Sequence, residues 1–91
     1  MAETVRDNPA RHRFELDVEG ELAFASYRRD GRVLTIHHTE VPRHLEGRGI
    51  GARLVAGVLD LARAQGLTVV PRCSFVSAYI RRHPQYADLL G

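Results

Sequence analysis

The chain has 91 residues with a net charge of +2, and its thirteen basic residues besides histidine are all arginine. That length suffices for one modest core and excludes a sheet joined to a separate substrate domain, while a single cysteine excludes an internal disulfide framework. Scattered arginines among few aromatics do not make a nucleic-acid groove, and with no bilayer-length apolar run and no leader pattern the expectation is a soluble, cytoplasmic protein with no membrane contact.

Residues 1–11 mix charges with Asn8-Pro9 and show no period, so they are expected to form a flexible lead-in to one domain over 12–91. From His12 the pattern alternates, with Phe14, Leu16 and Val18 on one face and Arg13, Glu15, Asp17 and Glu19 on the other, as in a half-buried strand. Glu19-Gly20 turns the chain, Leu22 to Tyr27 gives a second strand, and Asp30-Gly31 signals a hairpin. The third strand, Val33 to Val41, places Leu34, Ile36, His38 and Glu40 on one face and Val33, Thr35, His37 and Thr39 on the other. Pro42 ends its pairing.

After a glycine-rich turn, Ile50, Leu54, Val58 and Leu61 recur at helical spacing up to Gly66, a suitable C-terminal stop. Leu67 to Pro71 then reads as a strand parallel to the third, completing a βαβ unit. Ser74 is placed to cap a final helix carrying Phe75, Ala78, Tyr79 and Arg82, which Pro84 interrupts. The expected fold is therefore α/β (α+β): a four-stranded mixed sheet with an antiparallel meander, a central βαβ unit and a short C-terminal helix. Two parallel strands joined by one crossover end on the same sheet edge, which brings the glycine turn beside Pro71-Arg72-Cys73.

Gly47, Gly49 and Gly51 alternate with Arg48 and Ile50 at the start of the long helix. Unpaired N–H groups and the helix dipole make such a start a phosphate cradle. The stretch fits a loose dinucleotide fingerprint, but that site needs an acid about twenty residues on, where this chain has Val70-Pro71-Arg72. A P-loop needs a lysine, and there is none.

Glu46-Gly47-Arg48-Gly49-Ile50-Gly51, in this order of elements, resembles the Arg/Gln-x-x-Gly-x-Gly/Ala hallmark of the GNAT acyltransferase superfamily. Glu46 stands at the Arg/Gln position, and Arg48 is the expected compensating cation. More specifically, Val41-Pro42, Leu45 to Gly51, Pro71, Cys73, Phe75, Tyr79-Ile80, His83-Pro84, Tyr86 and Asp88-Leu89 resemble a minimal GNAT-like subgroup of about this length. The resemblance implies a truncated GNAT fold that binds acetyl-CoA or CoA, with pantetheine between the splayed strands ending at Val41-Pro42 and Val70-Pro71. Val41, Leu45 and the stretch Glu46, Gly47, Arg48, Gly49, Ile50 and Gly51 would hold the cofactor.

Four side chains are candidates for chemistry. Cys73 stands beside Arg72 and before a helix start, which favours a thiolate nucleophile, although a lone cysteine is also a common buried hydrophobe. Tyr79 occupies the place where the resemblance implies a proton donor to departing CoA, with packing as its alternative. His38 and Glu40 offer a general base, or are ordinary strand polar groups, as is His37. His44 is within the loop that would meet phosphate. No paired spacing of histidine, cysteine or carboxylate suggests a metal site. Two functions follow: a CoA-dependent N-acetyltransferase acting on an amine acceptor, directly or through Cys73, or a non-catalytic CoA-binding sensor or interaction module. The short chain leaves little wall for an acceptor, which suits a small amine or a site completed by a partner.

Overall fold

A computed structural model describes residues 4–91. Five strands form one sheet in chain order: β1 (Arg6–Asn8), β2 (Arg13–Val18), β3 (Glu21–Asp30), β4 (Val33–Glu40) and β5 (Thr68–Pro71). The first four are antiparallel and β5 runs parallel to β4. Helix α1 (Ile50–Ala64) makes the crossover and α2 (Ser74–Arg82) follows β5. Both pack on the face built by the alternating apolar residues, among them Leu16, Val18, Ala25, Leu34, Ile36 and Val69, in one continuous core.

Leu54, Val55, Val58 and Leu59 of α1 are each at most 1 % exposed. At about 1.5–3 kcal/mol per buried aliphatic side chain, they outweigh the helix-propensity cost of Gly51 and Gly57, about 1 kcal/mol each. The helix ends in a Schellman motif: the Leu67 N–H donates to the Ala62 carbonyl at 2.9 Å and the Gly66 N–H to Arg63 at 3.1 Å, with Gly66 at φ +68°. The second hairpin turns through Gly31-Arg32, one residue later than the Asp30-Gly31 signal, because Asp30 still pairs with Val33.

The sheet has five strands rather than four, because part of the expected lead-in is β1. Arg6 and Asn8 donate to the Glu15 carboxylate, and the Tyr27 hydroxyl donates to Asp7 at 2.6 Å. Polar contacts hold an edge strand that has no apolar alternation. They also bury Glu15, only 3 % exposed, on the face opposite the helices. Val5 packs against Gly57, where a Cβ would collide with a Val5 methyl.

β4 contains an irregularity that its sequence pattern hides. Ser26 pairs with His38 and Tyr27 with Ile36, so His37 is an extra residue and the strand bulges there. Beyond it the faces exchange. Thr39 pairs with core-facing Ala25, whereas His38 and Glu40 pair with Ser26 and Phe24 on the open face. His38 and Glu40 thus leave the face of Leu34 and Ile36, and Thr39 and Val41 join it.

Candidate functional site

The ladder between β4 and β5 stops at the pair Ile36–Pro71. Both the Arg72 and Cys73 N–H groups then donate to the Ile36 carbonyl at 3.0 Å, which turns the chain away into α2. β4 continues to Glu40 without β5 beside it. The two strands part at this point, as the resemblance implies, and the prolines at both strand ends are consistent with it.

On the helix side of the gap lies a cavity of about 490 Å³. Its mouth is the glycine turn: Glu46, Gly47, Gly49, Ile50 and Gly51 line it, with Leu45 and Val41 behind them and Thr39 at the gap. Gly49 is the N-cap of α1 at φ +74°, and Gly47 has φ +83°, conformations open to glycine at low cost. Among the described residues no backbone acceptor takes the N–H groups of Gly47, Gly49, Ile50, Gly51 or Ala52; the first bound in the helix start is Arg53, to Gly49 at 3.1 Å. A row of donors at a helix N-terminus beside a cavity suits a phosphate group.

Two residues of α2 complete the wall. Phe75, 44 % exposed, lies over Gly51, where a Cβ would come within 2.9 Å of the ring. Arg82, two helical turns on and on the same face, lines the cavity as well. Neither was singled out from the sequence as a cofactor contact, although their spacing of seven on one helix was the available signal. Arg48 does not line the cavity; its guanidinium pairs with Glu19 at 2.6 Å. The cation that lines the glycine turn's cavity is therefore Arg82. His44 likewise pairs with Glu21.

Cys73, rather than Ser74, is the N-cap of α2, because its carbonyl takes the first helical bond from Ser77 at 3.0 Å. Its Sγ lies 3.7 Å from the Thr39 Oγ1 across the gap. Burial pushes the thiol pKa up, but the N–H groups of Val76, Phe75 and Thr39 and the Thr39 hydroxyl outweigh it and hold the value below 9.0. The geometry thus brings Cys73 and Thr39 together at the end of the cavity.

The other candidates stand apart from it. Tyr79 stacks on His83 with ring centroids 3.9 Å apart and leans toward Tyr86. Burial, then the Asp60 carboxylate, raises its pKa above 10. His38 and Glu40 form an exposed pair at 3.2 Å on the open face of the sheet, across β4 from Thr39. Among the described residues no group of three or more histidine, cysteine or acidic side chains comes together as a metal site, and no helix is long and apolar enough to cross a membrane.

A mixed sheet that opens between two parallel strands, with a glycine-rich helix start beside the opening, defines an acyltransferase architecture of the GNAT type. Residues 13–89 match the GCN5-related N-acetyl-transferase family, and the chain belongs to that family. Protein NATD1 of Mus musculus is 33 % identical over 61 residues, covering 65 % of this chain and 56 % of that protein. The Homo sapiens protein is also 33 % identical, over 54 % of its length. The match thus spans about half the length of these relatives. A GCN5-like protein of Staphylococcus aureus, solved by NMR, superposes with a TM-score of 0.71 at 27 % identity, covering 93 % of this chain and 84 % of that one.

Proposed function

We propose that this chain transfers an acetyl group from acetyl-CoA to an amine. The observation that carries the reading is the continuity of the helix-side cavity, from the free amides of the glycine turn to the Thr39–Cys73 contact where β4 and β5 part. The pyrophosphate of CoA suits the N–H groups of Gly47, Gly49, Ile50 and Gly51, with Arg82 as the fixed cation. The β4 edge from His37 to Glu40, without a strand beside it, offers backbone groups to the pantetheine amides. In direct transfer the neutral amine attacks the thioester carbonyl, the C–N bond forms, the C–S bond breaks, and the thiolate takes up a proton. His38 or Glu40 would accept the proton of an incoming ammonium from the open face, and Tyr79, stacked on His83 outside the cavity lining, would serve as donor to the thiolate only by turning toward it.

The lowered thiol pKa of Cys73 favours a second route to the same product. Its thiolate attacks the acetyl carbonyl and displaces CoA, and the amine then resolves the acetyl-cysteine. Release of CoA thiol across an amine panel tests the function. Multiple turnovers support the transferase, and stoichiometric binding without turnover assigns the chain as a CoA-binding module. Intact mass distinguishes the routes, since the covalent one requires a transient acetyl adduct that Cys73→Ala abolishes. Unchanged turnover in Tyr79→Phe would leave Tyr79 a packing residue only.

A further inference from the structure

The open face of the sheet carries a second groove, of about 740 Å³, lined by Arg28, Asp30, Val33, Thr35, His37 and Arg72. It ends at the same gap as the helix-side cavity. His37 is the bulged residue of β4, and Arg72 is the first residue beyond β5, held by its N–H to the Ile36 carbonyl. Cys73, which touches Thr39 of the helix-side cavity, follows directly, so groove and cavity both reach the place where β4 and β5 part.

The groove brings together two arginines that lack side-chain partners. Arg6 and Arg13 are engaged by Glu15, Arg29 by Gln65, and Arg32 by the Gly66 carbonyl. Arg28 and Arg72, like Arg11, Arg43 and Arg82, make no side-chain hydrogen bond or ion pair with any described residue, and of these five they are the two that share a groove. They face one groove whose single carboxylate, Asp30, pairs with Val33 at the end remote from the gap. Two unpaired guanidinium forks in one depression match a planar anion that accepts two parallel N–H bonds.

The geometry points to an acceptor amine that also carries a carboxylate: the carboxylate sits between Arg28 and Arg72, and the amine reaches the gap beside His37. This rests on the acetyl-transfer reading above. The products are then an N-acetylated acid and free CoA, the nitrogen losing one proton and the thiolate gaining one. The carboxylate can belong to a free amino acid or to an acidic residue near the amino terminus of a peptide. The chemistry is shared, and the test separates the sources.

The test is an NMR titration of CoA-saturated protein that follows the Arg28 and Arg72 Nε–H signals. The probes are the free amino acids against their carboxamides, and a glutamate-rich peptide against its glutamine counterpart. In at least one arm the carboxylate form should move both signals at concentrations about tenfold or more below its neutral partner. Arg28→Gln and Arg72→Gln should each abolish that preference while leaving CoA affinity unchanged. Equal responses to charged and neutral probes, or no response in either arm, would overturn the inference. CoA saturation itself, read from the Gly47–Gly51 amides, is the control. Failure there removes the acetyl-transfer reading, whereas normal CoA binding without carboxylate preference removes this inference alone.

Discussion

Cys73 and Gly51 carry much of the site's physics, Glu15 holds the edge of the sheet, and each gives a separate expectation. Thr39 and the start of α2 hold the Cys73 thiol below 9.0 against the effect of burial. The rate of alkylation by iodoacetamide should therefore rise with a midpoint below that of a free cysteine, and Thr39→Val should move that midpoint upward. A midpoint at or above that of a free cysteine in the parent protein would contradict the assignment. Gly51→Ala sets stability against binding. The clashing atoms are the far end of the exposed Phe75 ring, which can swing aside, so the fold should gain up to about 1 kcal/mol from helix propensity. Acetyl-CoA affinity, measured calorimetrically, should fall because the new Cβ and the displaced ring narrow the cavity. Glu15 shows how a polar group is buried at no net loss. The Arg13 hydrogen bond lowers its pKa below 4.5, burial opposes this, and Asn8 and Arg6 add to the lowering. Its contribution is present above pH 4.5 and is lost as pH falls through the lowered value. Glu15→Gln should cost about 2 kcal/mol in urea unfolding at pH 7, and the difference from the parent should shrink in acid.

Among the elements, those with a strong apolar period were legible in the sequence. Phe14, Leu16 and Val18 defined β2, and Leu54, Val58 and Leu61 defined α1, because period 2 and period 3.6 are local signals of a buried face. β1 was not legible, since Arg6-Asp7-Asn8 has no such period and is ordered by partners far along the chain, Glu15 and Tyr27. The bulge at His37 was also hidden, for it arises from how β4 pairs with β3 rather than from its own residues. That one irregularity sends Thr39 into the cavity and His38 and Glu40 out of it. The glycine turn was legible as half a site, whereas Arg82 and Phe75 enter it only through the way α2 packs over Gly51. The packing of Val5 on Gly57 provides a test of β1. Gly57→Ala should gain helix propensity in α1 yet displace Val5, so hydrogen exchange should quicken in the amides of Arg6–Asn8 while α1 stays protected. Unchanged protection in β1 would mean that Val5 does not anchor it.

For the whole molecule, a 91-residue chain assembles two cavities on opposite faces of one sheet, and both reach the place where the ladder fails beyond Ile36 and Pro71. Both helices pack on one face, and the other is left open. The chain meets the size limit set by a single core by using the sheet itself as the partition between its two proposed substrates. The family assignment fixes the architecture, and what carries the functional account is the claim that acetyl-CoA occupies the helix-side cavity. The most direct measurement is a two-dimensional ¹H–¹⁵N NMR titration of the intact chain with acetyl-CoA. Saturable shifts concentrated at Gly47 to Gly51, at Thr39 and Val41, and at Phe75 and Arg82 are expected, with the amides of β1 and β2 unmoved. No saturable shift, or shifts confined to surfaces away from the glycine turn, would contradict the account.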